Sequence, residues 1–245
     1  MIMLKPLALS LSLLTTSVLA GENQIYNVNG SEYEGYWSKV SDTAPLVLLV
    51  HDWDGLTDYE VQRSEMLNKL GYNVFAVDLF GKGVRPTKVE DKRQHTGELY
   101  KDRQKLRALM QGSLDYAAKL NGSGTNVVVM GYCFGGAAVL ESARAGMNAK
   151  GFVTFHGGLT TPEGQSYADA KAPILVFHGT ADSAITMDQF ATLASELESQ
   201  GVKHEMITYS GAPHAFTVFG SERYRKDADE KSWTRFTEFL AAQTQ

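Results

Sequence analysis

The chain has 245 residues, 43% of them hydrophobic, 21% charged and 10% aromatic, with 23 Gly, 6 Pro and one Cys. This is globular composition, which excludes disordered, collagen-like and low-complexity classes. A net charge of −5 offers no electrostatic footprint for nucleic acid or an anionic membrane, and one cysteine permits neither an intrachain disulfide nor a thiolate zinc site.

Residues 1–20 carry one charged side chain, Lys5, then an apolar run from Leu7 to Leu19, ending in Val18-Leu19-Ala20 before polar Gly21-Glu22-Asn23. That is the layout of a signal peptide cleaved near Ala20. The run is short of the roughly 20 residues that a membrane span needs. The expected product is an exported chain, periplasmic or secreted, with no span in its mature part and a single α/β domain over residues 21–245. A free thiol is unusual in an oxidising compartment, which draws attention to Cys133.

Gln24–Val28 and Tyr33–Val40 read as strands meeting at Asn29-Gly30, a hairpin signal. Leu46–Val50 is an unbroken apolar run, as in a strand buried on both faces. Asp58–Leu70 reads as a helix stopped by Gly71, and Asn73–Asp78 as a second buried strand. Gly81 to Thr87 reads as loop. Leu106, Met110, Leu114 and Ala117 mark one face of a long helix. Asn126–Met130 predicts a strand, followed by a small-residue helix from about Phe134 to Ala145. Gly151–Phe155 and Pro173–Phe177 are further strands. Thr186-Met187-Asp188-Gln189 resembles a capping box, opening a helix that ends at Gly201. His204–Tyr209 reads as the last strand, and Trp233, Phe236 and Leu240 as one face of a closing helix. Such alternation predicts an α/β fold: a mostly parallel central sheet with helices on both faces.

Three strand ends carry chemistry. Gly131-Tyr132-Cys133-Phe134-Gly135-Gly136 lies between a strand and a helix. A nucleophile on so sharp a turn needs residues without bulk two positions before and after it, and Gly131 and Gly135 supply them. The helix start also brings backbone N–H groups towards the sulfur. His214, in Gly211-Ala212-Pro213-His214-Ala215-Phe216, follows the last strand and can serve as base and then acid. Asp182, in His178-Gly179-Thr180-Ala181-Asp182-Ser183, can hold the imidazole tautomer, or else cap the next helix. The order nucleophile, acid, histidine is that of α/β-hydrolases.

With Gly-Tyr-Cys-Phe-Gly-Gly at the elbow, His178-Gly-Thr-Ala-Asp182 and Ala212-Pro-His214-Ala-Phe, the chain resembles the dienelactone hydrolase family, the carboxymethylenebutenolidase-like branch of the α/β-hydrolases. The likeness covers essentially the whole mature chain, including Asp78-Leu79-Phe80. It implies an α/β-hydrolase fold and a Cys133–His214–Asp182 triad that cleaves a small-molecule ester or lactone through an acyl-thioester, with no cofactor. His51-Asp52-Trp53-Asp54-Gly55 matches the family segment that donates one oxyanion N–H. By analogy the oxyanion hole comprises the backbone N–H groups of Trp53 and Phe134. The family has a thiol-activating glutamate where this chain has Asp52, one methylene shorter. His51, Asp52 and Asp54 are possible metal ligands without a matching second cluster, so no metal is expected.

The likeness has gaps. The family's two carboxylate-binding arginines are replaced by His95 and Val218, neither of which can fork a carboxylate. Arg85 and Arg93 are the candidate substitutes, and the substrate is expected to be a neutral or differently held ester. Tyr132 and His156 are further pocket candidates, with His156 also readable as a packed core histidine. Three rivals remain: a thioesterase or acyl-transfer enzyme with the same triad, a ligand-binding protein on an inactive hydrolase scaffold, and a redox-sensor thiol, the last lacking a resolving cysteine.

Overall fold

The structure, a computed structural model, describes residues 21–122 and 126–245. The expected leader, residues 1–20, lies outside the described residues. Asn29 and Gly30, with φ of 53° and 85°, form a two-residue turn between β1 (Glu22–Val28) and β2 (Ser31–Ser38). Val28 pairs with Ser31 across that turn. The tight turn therefore starts β2 two residues earlier than its hydrophobic pattern indicates.

β3 (Leu46–Val50), β4 (Asn73–Val77), β5 (Val127–Tyr132), β6 (Gly151–Phe155) and β7 (Ile174–Gly179) are buried throughout, while β8 (His204–Tyr209) forms an edge. One sheet runs in the order β1-β2-β4-β3-β5-β6-β7-β8. Its pairings from β4 onwards are parallel, and β2 is antiparallel to both its neighbours.

Alternate strand residues feed two core layers. Leu46, Leu48, Val127 and Val129 pack with Leu106, Met110 and Leu114 of α3 (Arg103–Asn121), Leu140 of α4 (Phe134–Arg144) and Leu193 of α5 (Met187–Ser199). Val47, Leu49, Val128 and Met130 pack with Leu67 of α1 (Asp58–Lys69) and with Phe236 and Leu240 of α6 (Lys226–Thr244). Helices thus cover both faces, as the alternation of elements predicts.

α1 docks with few apolar residues. It buries Glu60, Arg63, Ser64 and Asn68 beside Leu67, and its start is fixed by a reciprocal Thr57–Glu60 capping box. Arg63 forms an ion pair with Asp229, donates to the Thr217 carbonyl at 2.9 Å and lies 4.2 Å from the centroid of the Phe219 ring. A charge this deep is stable only because it is paired and fully hydrogen-bonded.

α2 (Val89–Lys101) has no counterpart among the elements that the sequence pattern predicts. It lacks an apolar stripe, burying only Thr96 and Leu99, and Lys88 at its N-cap provides no side-chain cap. Contacts with the rest of the molecule hold it: Lys92 lies over the Trp53 ring, His95 stacks on Phe80, and Tyr100 packs on Phe134 beside the β5–α4 turn.

Candidate active site

Cys133 occupies the turn from β5 to α4 with φ 51° and ψ −113°, an unusual conformation for a residue with a Cβ. A Cβ added at Gly131 would lie 2.4 Å from the Gly135 carbonyl carbon, and one at Gly135 would lie 2.4 Å from the Val50 and His51 oxygens. No side chain fits there. The glycine frame seen in the sequence is therefore a steric requirement of packing β5, α4 and β3 together. The Cys133 N–H donates to the Phe155 carbonyl at 3.0 Å, which ties the elbow to β6.

The three sequence-predicted groups converge. Cys133 Sγ lies 3.1 Å from His214 Nε2, and His214 Nδ1 lies 2.7 Å from Asp182 Oδ2. Asp182 Oδ1 accepts the N–H groups of Ala184 and Ile185, each at 2.9 Å. Asp182 is thus the imidazole partner and braces the turn that follows it, while the other alternative open from the sequence, capping the next helix, falls to Thr186. Burial opposes its charge, but His214 and these N–H donors outweigh burial and keep the carboxyl below its ordinary value.

Burial pushes the Cys133 thiol well up, with the Asp52 carboxyl adding to the effect only once it is ionised, while the Phe134 N–H favours the thiolate. The resting group is therefore a thiol. Asp52 is pushed up to about 9, first by burial and then by Asp54. Its Oδ1 accepts the Asp54 N–H at 3.1 Å. At neutral pH Asp52 is a protonated acid. The charged form belongs to Asp54, because the hydrogen bond from Asp52 and the charge of Lys92 overcome burial there.

The pocket candidates separate. His95 stacks on Phe80, which packs against Phe134, so it borders the elbow. His156 is fully buried behind His214, with ring centroids 5.4 Å apart, and its Nε2 lies 2.8 Å from Thr217 Oγ1. It is a core histidine that supports the catalytic loop. Tyr132 is also fully buried, packed on Phe155 and beneath Arg63, so it lines no pocket. Arg85 is already engaged: Asp78 and Glu34 lie 3.6 and 3.9 Å from it, and it donates to the Glu34 and Val84 carbonyls. Arg93 lies on the exposed side of α2. Neither arginine replaces the missing pair.

Sequence reasoning missed the contributions of α2 and the start of α3. The Tyr100 ring packs edge-on against Phe134, and burial followed by proximity to Cys133 raises its hydroxyl pKa. Arg103 lies over the Tyr100 ring at 4.8 Å. Tyr100, Arg103, Ala137, Arg144, Gly158, Thr160 and Ile185 enclose a cavity of about 220 Å³. Ala137 donates its N–H to the Cys133 carbonyl, so the cavity begins one turn from the thiol. Arg144 is consumed by Glu141, Gln165 and Tyr167, but Arg103 reaches Glu141 only at 3.6 Å with 24% of its side chain open. Tyr100, six residues before the Leu106 stripe begins to read as helix, has no periodic signal to announce it.

This geometry agrees with the comparisons. The dienelactone hydrolase family model matches residues 34–244. The chain belongs to the dienelactone hydrolase family. A Salmonella typhimurium protein named "Putative carboxymethylenebutenolidase" is 25% identical over 226 residues, covering 86% of this chain and 83% of that one. The crystal structure of a dienelactone hydrolase-like promiscuous phosphotriesterase, P91, from metagenomic libraries superposes with a TM-score of 0.84 at 25% identity, covering 92% of this chain and 98% of that one. A structure named m3DLH gives 0.85 at 26% identity, with 94% and 100% covered. As a member of this family, the protein is a hydrolase acting on esters or lactones.

Proposed function

We propose that the protein hydrolyses a carboxylic ester or lactone by nucleophilic catalysis through Cys133, His214 and Asp182, with an acyl-thioester intermediate. The observation that carries this reading is the unbroken contact from Cys133 Sγ to His214 Nε2 at 3.1 Å and from His214 Nδ1 to Asp182 at 2.7 Å. The thiol proton passes to His214 as sulfur attacks the carbonyl carbon. The Trp53 and Phe134 N–H groups receive the oxyanion. The C–O bond then breaks, and the leaving alkoxide takes the proton from His214. Water attacks the thioester with His214 as base, and the thiolate is expelled and reprotonated. Asp182 stabilises the imidazolium at both stages.

Asp52 is the thiol-side helper in this reading. Protonated up to about pH 9, it sets no negative charge against the forming thiolate. Of the neutral or differently held ester expected from the missing family arginines, Arg103 in the adjoining cavity favours the second, an ester whose anionic group is held from α3. We read residues 1–20 as an export signal and residues 21–245 as one domain. Protein recovered from the periplasm should begin at Gly21, and an uncut chain confined to the cytosol would contradict export.

Turnover of aryl esters, lactones and thioesters by wild type and Cys133→Ala tests the mechanism. Loss of turnover on all three in the variant supports it, and retained ester hydrolysis refutes it. Faster cleavage of thioesters than of esters and lactones would select the thioesterase alternative.

A further inference from the structure

The segment joining β3 to α1 carries the proposed oxyanion donor Trp53 between two acidic residues, Asp52 and Asp54. A third carboxylate, Glu60 of α1, is fully buried nearby. Its Oε2 accepts from the Thr57 N–H and hydroxyl, leaving Oε1 with no hydrogen-bond partner. Three carboxyl groups therefore crowd a segment that must stay still and must not repel a thiolate. Lys92 of α2 enters from above. Its Nζ lies 3.3 Å from Asp54 Oδ2 and 5.3 Å from the centroid of the Trp53 ring, and only 16% of its side chain is exposed.

We propose that Lys92 is a positioning residue for the hydrolytic reaction, holding Trp53 and Asp54 from above and offsetting the carboxylate charge that faces Cys133. The inference rests on Cys133 being the nucleophile.

Two physical effects meet at Lys92. The ammonium on the indole face and the ion pair with Asp54 fix consecutive residues, so the Trp53 N–H keeps its direction. The same ammonium balances the charge that Asp54 holds beside Asp52. Of the groups facing the thiol, His214 and Asp182 come from the loops after β8 and β7, Asp52 and Asp54 from the loop after β3, and Tyr100 from α2. Facing Asp52 are Asp54 and, from α1, Glu60. Without Lys92, the Asp54 charge acts unopposed on the sulfur.

Lys92→Met should lower kcat/KM by about tenfold or more and move the pH midpoint of Cys133 alkylation by iodoacetamide up by about one pH unit. Lys92→Arg, which keeps the charge and the ring contact, should restore most of both. Asp54→Asn should move the midpoint in the opposite direction, downward, since it removes the negative charge that Lys92 offsets. Alkylation needs no ester turnover, so this readout stands apart from the hydrolytic reading, which the Cys133→Ala assay decides. Lys92→Gln serves as a second variant should Lys92→Met fold poorly. An unchanged midpoint with only a lower Tm, no recovery with arginine, or an Asp54→Asn midpoint at or above the wild-type value would each overturn the proposal.

Discussion

The two sides of the thiol are built by different means. On one side the β5–α4 elbow and the loops after β7 and β8 fix Cys133, Asp182 and His214 through backbone geometry. No Cβ fits at Gly131 or Gly135, and main-chain N–H groups hold Asp182. On the other side, α2 and the first turn of α3 reach the site through long side chains: Lys92 on Asp54 and Trp53, Tyr100 on Phe134, and Arg103 on Tyr100. The backbone-built side carries the groups proposed to make and break bonds. The side-chain-built side is the one proposed to set charge and substrate. Changes on the first should abolish the reaction, and changes on the second should retune it.

The sharpest way to break this contrast is at the elbow. Gly135→Ala places a methyl group within 2.4 Å of two carbonyl oxygens. Overpacking of this kind costs about 1–3 kcal/mol or more. We expect a lower unfolding midpoint and at least about a 10²-fold loss of kcat/KM, since the thiol and the Phe134 N–H move together. A variant with wild-type kinetics would show that the tight elbow is dispensable.

Asp182→Asn should leave the fold intact, because an amide oxygen can still accept the Ala184 and Ile185 N–H groups. The imidazole loses its anionic partner and its tautomer is no longer fixed, so kcat should fall by about 10³–10⁴-fold. Steady-state kinetics with circular dichroism as the folding control checks this. A loss below tenfold would mean that His214 does not depend on Asp182.

On the side-chain-built side, Arg103→Met should lower kcat/KM for an ester bearing a carboxylate by about tenfold or more, with little change for a neutral ester of similar size. Equal losses on both substrates would give Arg103 a packing role only.

The smallest effect concerns Asp52, and its sign follows from linkage. The carboxyl titrates near 4 when unfolded and about 9 when folded, so the folded state binds its proton more tightly. The group's contribution to stability is complete below about pH 4 and declines as pH rises towards 9. Asp52→Asn escapes that decline. Its Tm relative to wild type should therefore increase from pH 5 to pH 8, and a pH-independent difference would contradict a proton held on Asp52.

The same contrast explains how much was legible in the sequence. The elbow glycines, the buried strands and the capping boxes are local consequences of sterics and hydrogen bonding, so Leu46–Val50, Gly151–Phe155 and His204–Tyr209 are read from sequence with their observed boundaries. Residues 89–101 carry no such local signal. Two buried residues do not make an amphipathic face, and the helix depends on contacts that exist only after the sheet has assembled. Lys92 and Tyr100 are hidden for that reason, and Arg103, at the first position of α3, lies ahead of the apolar stripe that marks that helix. Arg85 is the opposite case: named as a substitute for the missing arginines, it is instead engaged by Asp78 and Glu34, whose proximity no local pattern announces.

The central claim is that an acyl group passes through Cys133. Wild type mixed with a slowly hydrolysed aryl ester, quenched in acid and digested, tests it by mass spectrometry. The account predicts one acyl mass on the peptide containing Cys133, labile to hydroxylamine and absent from Cys133→Ala. Rapid turnover with no adduct on that peptide, or an adduct on another residue that persists in the variant, would contradict it.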